Sequence, residues 1–197
     1  GWSGYKTINL SNHSINNCSY SDDMRRSFGS AIANGKIVYS YANNLYTHNL
    51  GTSGSRCPST SQSARVSYRS GSYTGLQFNP NNNQELWTLS WSLSRMQKLT
   101  LNSNYSSISS TSSFGSRSRS NSSATRTYFY YPWGLGWDQA NNRLLASDLN
   151  KGTVQVFDTS GTWIKNFGGA PTTRMQAAQA AIKSLVTDSS LTAGVNF

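Results

Sequence analysis

The sequence predicts a mainly β fold, and three observations carry that expectation. Aromatic residues make up 12% of the 197-residue chain, with 11 Tyr and 6 Trp, and Ser, Asn, Thr and Gly supply much of the rest. Aromatic side chains favour strands and small polar ones favour turns. Short alternating segments, each of strand length, are separated by Asn-, Gly- and Ser-rich turns. Two segments also repeat. GLQFNPNNNQELW (75–87) and GLGWDQANNRLLA (134–146) share Gly75/Gly134, Leu76/Leu135, Asn82/Asn141, Asn83/Asn142 and Leu86/Leu145, with Phe78 at the place of Trp137. A repeated meander cannot bury both of its faces alone and must stack on neighbours, so the expected architecture is a series of β-propeller-like meanders. A C-terminal amphipathic helix follows them.

Residues 1–35 are irregular, with one candidate strand in YKTINL. The first unit is KIVYSYANNLYTHNLGTSG (36–54). Ile37, Val38 and Tyr39 form a strand, ANN a turn, and LYTHNL a second strand that alternates Leu45, Thr47 and Asn49 with Tyr46, His48 and Leu50. In the second unit GLQF enters, NPNNN turns, and ELWTLSW and RMQKLTL are strands. The Ser/Arg tract 106–127 will not nucleate a core and is expected to be an exposed, mobile loop. The third unit runs from GLGW through the turn DQANN, the strand RLLAS, the turn DLNKG, the strand TVQVFD and the turn TSG to the strand TWIKNF. YSYANNLYTHNLGTSG in the first unit resembles ASDLNKGTVQVFDTSG in the third.

The end of the chain is different in kind. In PTTRMQAAQAAIKSLVTDSSLTAGVNF, Met175, Ala178, Ile182, Leu185 and Val186 share one helical face, Thr172 or Thr173 can cap the start, and GVNF reads as a following strand. This gives a propeller-like region over 1–169 and a helix–strand segment over 170–197, the start or a fragment of an α/β region, with the boundary near Gly168–Pro171.

The net charge of +10 is uneven. Residues 51–130 hold eight cations against Glu85 alone, whereas the flanking thirds are nearly balanced. That middle stretch would attract a polyanion, with Arg65, Arg69, Arg117, Arg119 and Arg126 as the candidate contacts; the alternative is a solvated basic surface. Tyr68, Tyr73, Tyr105 and Tyr128 interleave with these cations and could stack on nucleic-acid bases, or simply fill the sheets. Only 12% of residues are charged, a composition common in secreted and surface proteins. We therefore expect an extracellular or cell-surface location, with Cys18 and Cys57 forming one disulfide. No stretch is apolar enough to span a membrane. The chain opens on Gly1 without a leader-like segment, so a leader or upstream portion is expected to have been removed or omitted.

The third unit, PWGLGWDQANNRLLASDLNKGTVQVFDTSGTWIKNFG (132–168), resembles the blade of the NHL-type β-propeller family, which runs from a Pro-x-Gly-hydrophobic entry to a VQVFD strand and a closing Phe-Gly. The usual arginine before that strand is replaced by Gly152-Thr153. The C-terminal helix and strand are similar to the first helix and second strand of a von Willebrand factor A domain, which follow an Asp-x-Ser-x-Ser cation loop. That resemblance implies Asp158, Ser160 and Thr162 as ligands for Mg²⁺ or Ca²⁺, since hard cations take such oxygen donors. The same DTSG is good turn chemistry for a hairpin, and both readings stay open. The combination resembles the PilC/PilY family of pilus tip and biogenesis factors, which implies assembly or adhesion with a protein partner or a surface-filament subunit.

For enzymes the chain carries no GxSxG, HExxH, Walker or dinucleotide fingerprint. His48 is expected on a strand surface, Glu85 paired with a neighbouring cation, and Asp22-Asp23 balanced by Arg25-Arg26. The function read from the sequence is a non-catalytic extracellular assembly or adhesion protein. The alternatives are a polyanion- or nucleic-acid-binding protein and a divergent propeller enzyme.

Overall fold

The computed structural model describes residues 6–9, 14–18, 27–41, 43–51, 57–59, 61–67, 73–118, 128–168, 178–179 and 182–183. Within them lie sixteen strands. A hairpin of β1 (Lys6–Ile8) and β2 (Ile15–Asn17) precedes the first of three four-stranded antiparallel meanders. The first sheet is β3 (Ser30–Ala33), β4 (Lys36–Tyr41), β5 (Asn44–Asn49) and β6 (Ala64–Ser67). The second is β7 (Tyr73–Asn79), β8 (Asn82–Ser90), β9 (Arg95–Leu101) and β10 (Ile108–Phe114). A short parallel pair, β11 (Ser116–Arg117) with β12 (Tyr128–Phe129), leads to the third. That sheet is β13 (Pro132–Asp138), β14 (Arg143–Asp148), β15 (Thr153–Phe157) and β16 (Trp163–Gly168).

Each sheet is a blade. Its first strand lies innermost, and β7 sits between β3 and β13. One apolar layer fills each gap between blades. Ala31, Val38, Leu45 and Val66 of the first blade meet Leu76, Phe78, Leu86, Leu99 and Leu101 of the second. On its opposite face the second blade sends Trp87, Leu89 and Met96 against Leu144, Ala146 and Phe157 of the third, with Phe129. Alternation explains the division, because successive side chains on a strand point to opposite faces. In β8, Leu86 faces back and Trp87 faces forward, so the middle blade is apolar on both sides. Each large side chain buried this way contributes about 1.5–3 kcal/mol.

The repeated positions are equivalent up to the first turn and then slip by one. Leu76 and Leu135, and likewise Phe78 and Trp137, face the preceding blade. Across the turn, however, Phe78 pairs with Leu86 while Trp137 pairs with Leu144. The counterpart of Leu86 is therefore Leu144 and not Leu145. The second blade carries one extra residue in an irregular register after Asn79, and Leu145 turns to the far face, beside Val154, Val156 and Phe167.

Three expectations are corrected. The Ser/Arg tract is not all loop: Ile108–Phe114 forms β10, the outer strand of the second blade. An outer strand needs few apolar anchors, here Ile108 against the first core layer and Phe114 stacked on Trp87 at 5.4 Å, while pairing with β9 gives its serines backbone partners. Residues 119–127, with Arg119 and Arg126, lie outside the described residues. The irregular N-terminal stretch contains β3, joined to β4 by Asn34-Gly35, both at positive φ. Such a turn matches the twist of a hairpin, and Asn-Gly adopts it with little strain. His48 is not on a surface. It is 1% exposed, its Nε2 lies 3.1 Å from the Tyr39 hydroxyl and its Nδ1 lies 2.7 Å from the Ser59 carbonyl.

In the segment read as a helix, the described Ala178, Gln179, Ile182 and Lys183 have helical backbone and are exposed. Thr172, Thr173, Met175, Leu185, Val186 and GVNF lie outside the described residues, as do Asp22-Asp23 and Arg25-Arg26. No helix among the described residues is long and apolar enough to cross a membrane.

Cys18 and Cys57 are bonded, with their Cα atoms 5.3 Å apart and a sequence separation of 39. The bond ties the segment after β2 to the β5–β6 connection. Reducing it, or replacing both cysteines by serine, is expected to lower stability by about 3–4 kcal/mol through the freed loop entropy. Thermal melts with and without reductant test this, and equal melting temperatures would contradict it.

Candidate binding face

A four-stranded meander places its turns at two ends. The start of the inner strand and the turn between strands two and three share one end, here the entry end; the other two turns share the opposite end. At the opposite end the blades are clasped by asparagines. Asn83 Nδ2 donates to Asn34 Oδ1 at 2.6 Å, and Asn81 Nδ2 to Asn142 Oδ1 at 3.1 Å. The asparagines shared by the repeats thus make turns and join blades.

At the entry end hydroxyls make the joins. Ser40 Oγ donates to the Tyr73 carbonyl at 3.0 Å, Thr74 Oγ1 to the Pro132 carbonyl at 3.0 Å, and Ser94 Oγ to the Tyr130 carbonyl at 3.2 Å. In each pair a hydroxyl of one blade holds the chain as it enters the next. The third blade adds a buried carboxylate. Asp148, 1% exposed, accepts from the backbone N–H groups of Tyr130 (2.6 Å), Tyr131 (3.1 Å), Asn150 (3.2 Å) and Lys151 (3.2 Å). Lys151 is buried beside it and donates to the Tyr128 carbonyl at 2.9 Å, as does Gln155 at 3.0 Å. Burial holds the Lys151 ammonium below the usual lysine range, and the charge of Asp148 pulls it partly back.

This scaffold fixes a row of aromatic rings. Trp91 lies in the β8–β9 turn, Tyr131 and Trp133 at the start of β13, and Phe28 just before β3. Ring centroids are 5.6 Å apart for Trp91–Tyr131, 5.8 Å for Tyr131–Trp133 and 6.4 Å for Trp133–Phe28. Phe28 is 58% exposed, Trp91 39% and Trp133 41%, and these three are the exposed aromatic residues among those described. All three fall in one row that crosses the three blades. A core-forming residue type left in water at a single contiguous place marks a contact surface.

The residues singled out from the sequence are placed elsewhere. Arg65 on β6 lies over the Tyr46 ring at 5.6 Å, and Arg117 on β11 over the Tyr130 ring at 5.6 Å. Arg65 sits on the outer strand of the first blade and Arg117 on the short parallel pair before the third, each with its own tyrosine. Arg69 and Tyr68 lie outside the described residues. Tyr73 and Tyr105 are 0% and 1% exposed and belong to the core, so they offer no ring to a base; Tyr128 lies under the Lys151 ammonium, 6.0 Å from its ring centroid.

Asp158, Ser160 and Thr162 do come together, as the turn between β15 and β16. Asp158 Oδ1 accepts from Ser160 N (2.9 Å), Ser160 Oγ (2.6 Å) and Thr162 N (2.8 Å), and Gly161 N donates to the Asp158 carbonyl at 3.1 Å. Partial burial raises the pKa of this carboxyl, but the donors from Ser160, Thr162 and Gly161 outweigh it and hold the group below the usual carboxylate range. A cation would compete with three donors for Oδ1, so this arrangement fits a hairpin turn better than a resident ion. Among the described residues no three His, Cys, Asp or Glu side chains cluster as metal ligands.

The remaining carboxylates also serve turns and strands. Glu85 Oε1 accepts from Asn79 Nδ2 at 3.0 Å and Trp87 Nε1 at 2.8 Å, with Lys98 4.0 Å from its other oxygen. Asp138 accepts from the backbone and side-chain nitrogens of Asn141 at 3.2 and 2.9 Å.

No protein-family model matches the chain, and no curated protein sequence does. Solved structures do. One is a catalytically inactive virginiamycin B lyase from Staphylococcus aureus with quinupristin, at 14% identity and TM-score 0.51 over 86% of this chain and 49% of that one. Another is the β-propeller domain of Cps50 (Swd1) from Myceliophteria thermophila, at 10% identity and TM-score 0.52 over 82% of this chain and 47% of that one. The chain thus spans about half the length of each. At these identities the likeness is one of fold alone, and it establishes that the three sheets are blades of a β-propeller type.

Proposed function

We propose that this chain is a non-catalytic binding module serving assembly or adhesion at a cell surface or on a pilus-like filament, and that its contact face is the entry end of the blades. The exposed ring row carries this reading. The disulfide supports an oxidising compartment. The four described carboxylates each have a structural task, Asp148 and Asp158 in turns above all, which favours a surface that holds over one that reacts. The NHL-like third unit and the pilus-factor resemblance of the C-terminal segment point the same way.

The basic middle third supports a second reading, polyanion binding, in which Arg117 beside Tyr130 would be a contact. One experiment separates the two. Labelled full-length chain is titrated onto intact cells of its source. Saturable binding that resists added salt, and is lost in Trp91→Ala combined with Trp133→Ala, is the expected result. Binding that falls steeply with salt and is lost in Arg117→Ala would transfer the function to the polyanion reading. Equal binding by wild type and the tryptophan variant would end the contact-face proposal.

A further inference from the structure

We propose that the helix carrying Ala178 and Ile182 is a strap of this chain's own, which seats in an apolar groove on the third blade and covers Trp133. The groove is a cavity of about 260 Å³ at the entry end. Trp133, Leu149 and Val154 line it from the blade, and Ala178 and Ile182 line it from the helix. Ile182 is 59% exposed, Leu149 51% and Trp133 41%, although all three border one space. Water is a poor occupant there, because it needs several polar partners. Two polar side chains of the lining are already engaged. Ser147 Oγ accepts from the Gly134 N–H at 2.9 Å, and Asp148 accepts from four backbone N–H groups.

Three observations name the helix as the occupant. It already borders the cavity with one side: Ala178 and Ile182, one turn apart, line it, whereas Gln179 and Lys183 do not. Its sequence continues that apolar side in both directions. Met175 precedes Ala178 by three positions, and Leu185 and Val186 follow Ile182 by three and four. Its tether is also short. Ala178 follows Gly168, the last residue of β16, by ten positions. A short linker holds a segment at an effective concentration in the millimolar range, a level that a partner in solution must match.

The strap ends at the aromatic row. Trp133 stacks on Tyr131 at 5.8 Å and meets Phe28 edge-on at 6.4 Å, and the same residue borders the groove. A seated helix and a ligand of the row therefore compete for Trp133, and freeing the strap raises the share of molecules ready to bind. This last step rests on the entry end being the contact face; the seat itself does not.

The test uses the full-length chain. Ile182→Asp removes the apolar side chain from the helix, and Leu149→Asp removes one from the blade while the helix sequence stays intact. Gln179→Asp, which puts the same charge on the helix away from the cavity, is the control. Acrylamide quenching of tryptophan fluorescence and the rate of tryptic cleavage after Lys183 follow the seat. Cleavage requires local opening, so its rate tracks the open fraction. Both cavity variants are expected to be cut about tenfold faster than wild type and the control. They should also show added quenching that disappears when Trp133→Phe is combined with them. Unchanged β-type circular dichroism would show that the blades stay folded. Equal cleavage of wild type and both variants overturns the strap. So does protection of the wild type that appears only at high protein concentration, which would assign the groove to the helix of a second copy. With the strap released, tryptophan-dependent binding to cells is expected to tighten severalfold. Unchanged binding by the released variants, when Trp91→Ala combined with Trp133→Ala abolishes it, overturns the shielding of the contact face. If that tryptophan variant binds as wild type does, the contact-face reading fails, and cleavage and quenching alone decide the strap.

Discussion

Replacing Gly75 with alanine is expected to destabilise the protein by about 2–3 kcal/mol, and with valine by more, because the two nearest atoms the added carbon meets are backbone, which cannot swing away. A Cβ at Gly75 would lie 2.9 Å from Leu135 N and 3.1 Å from the Trp133 carbonyl oxygen. Relief requires β7 and β13 to separate, which opens the layer holding Trp87, Leu89, Leu144 and Phe157. Gly136 is the control. It is on β13 in a similar sequence setting, yet a Cβ there meets nothing within 4 Å. Gly136→Ala should change stability by no more than about 0.5 kcal/mol. Denaturant unfolding of the two variants decides the matter, and equal midpoints would show that the close approach of the inner strands does not limit packing. Because Trp133 is one of the residues displaced, Gly75→Ala should also weaken whatever binds the aromatic row.

The blades were legible in the sequence because their signals are local. Alternation in LYTHNL and RMQKLTL, the NPNNN and DQANN turns and the shared Gly-Leu entry each act within a few residues, and all lie where strands and turns were expected. Three features were less legible, for physical reasons. β3 is only four residues long and gives too short a period to detect, although Asn34-Gly35 before KIVY was a usable hairpin signal. β10 is written in serine and threonine because an outer strand on one partner needs backbone pairing more than burial. The one-residue slip that makes Leu144 the counterpart of Leu86 arises from an irregular register, which leaves no mark in an ungapped comparison.

The binding face was not legible because no local pattern encodes it. Phe28, Trp91, Tyr131 and Trp133 are scattered over half the chain; Phe28 and Trp91 stand alone among serines and a glycine, and Tyr131 and Trp133 end the run YFYYPW, whose Phe129 is core. The other aromatic residues among those described are buried or half-buried, Trp87, Tyr73 and Tyr105 fully so. What separates the two sets is placement. Trp91 falls in a turn between strands, and Phe28 and Trp133 lie at the entry to inner strands, where each side chain stays partly exposed. The cationic residues drew attention first because charge is visible from composition, yet the structure distributes those it describes over separate tyrosines.

Asp148→Ala is expected to be the most damaging single change at the entry end, lowering stability by about 3–5 kcal/mol. It leaves four backbone N–H groups without their acceptor and removes the counter-charge from a buried lysine. Asp148→Asn keeps an oxygen for the Tyr131, Asn150 and Lys151 donors and loses the charge and the bond to Tyr130, so it should cost about half as much. The lysine gives the effect a pH signature. Its folded pKa lies below its unfolded value, so the penalty for burying the ammonium is present at neutral pH and is relieved as pH rises toward about 10.4, the ordinary lysine value. Without Asp148 that penalty grows, and the gap between Asp148→Ala and wild type should therefore narrow in alkaline buffer. Lys151→Met in the Asp148→Ala background should recover part of the loss at neutral pH, as a double-mutant cycle would reveal. A pH-independent gap with no recovery would mean that Asp148 acts only as a turn-forming acceptor. In either case the backbone of Tyr130 and Tyr131 loses its anchor, so the stacked pair of Tyr131 and Trp133 should loosen and ligand affinity should fall alongside stability, linking the buried carboxylate to the exposed rings it positions.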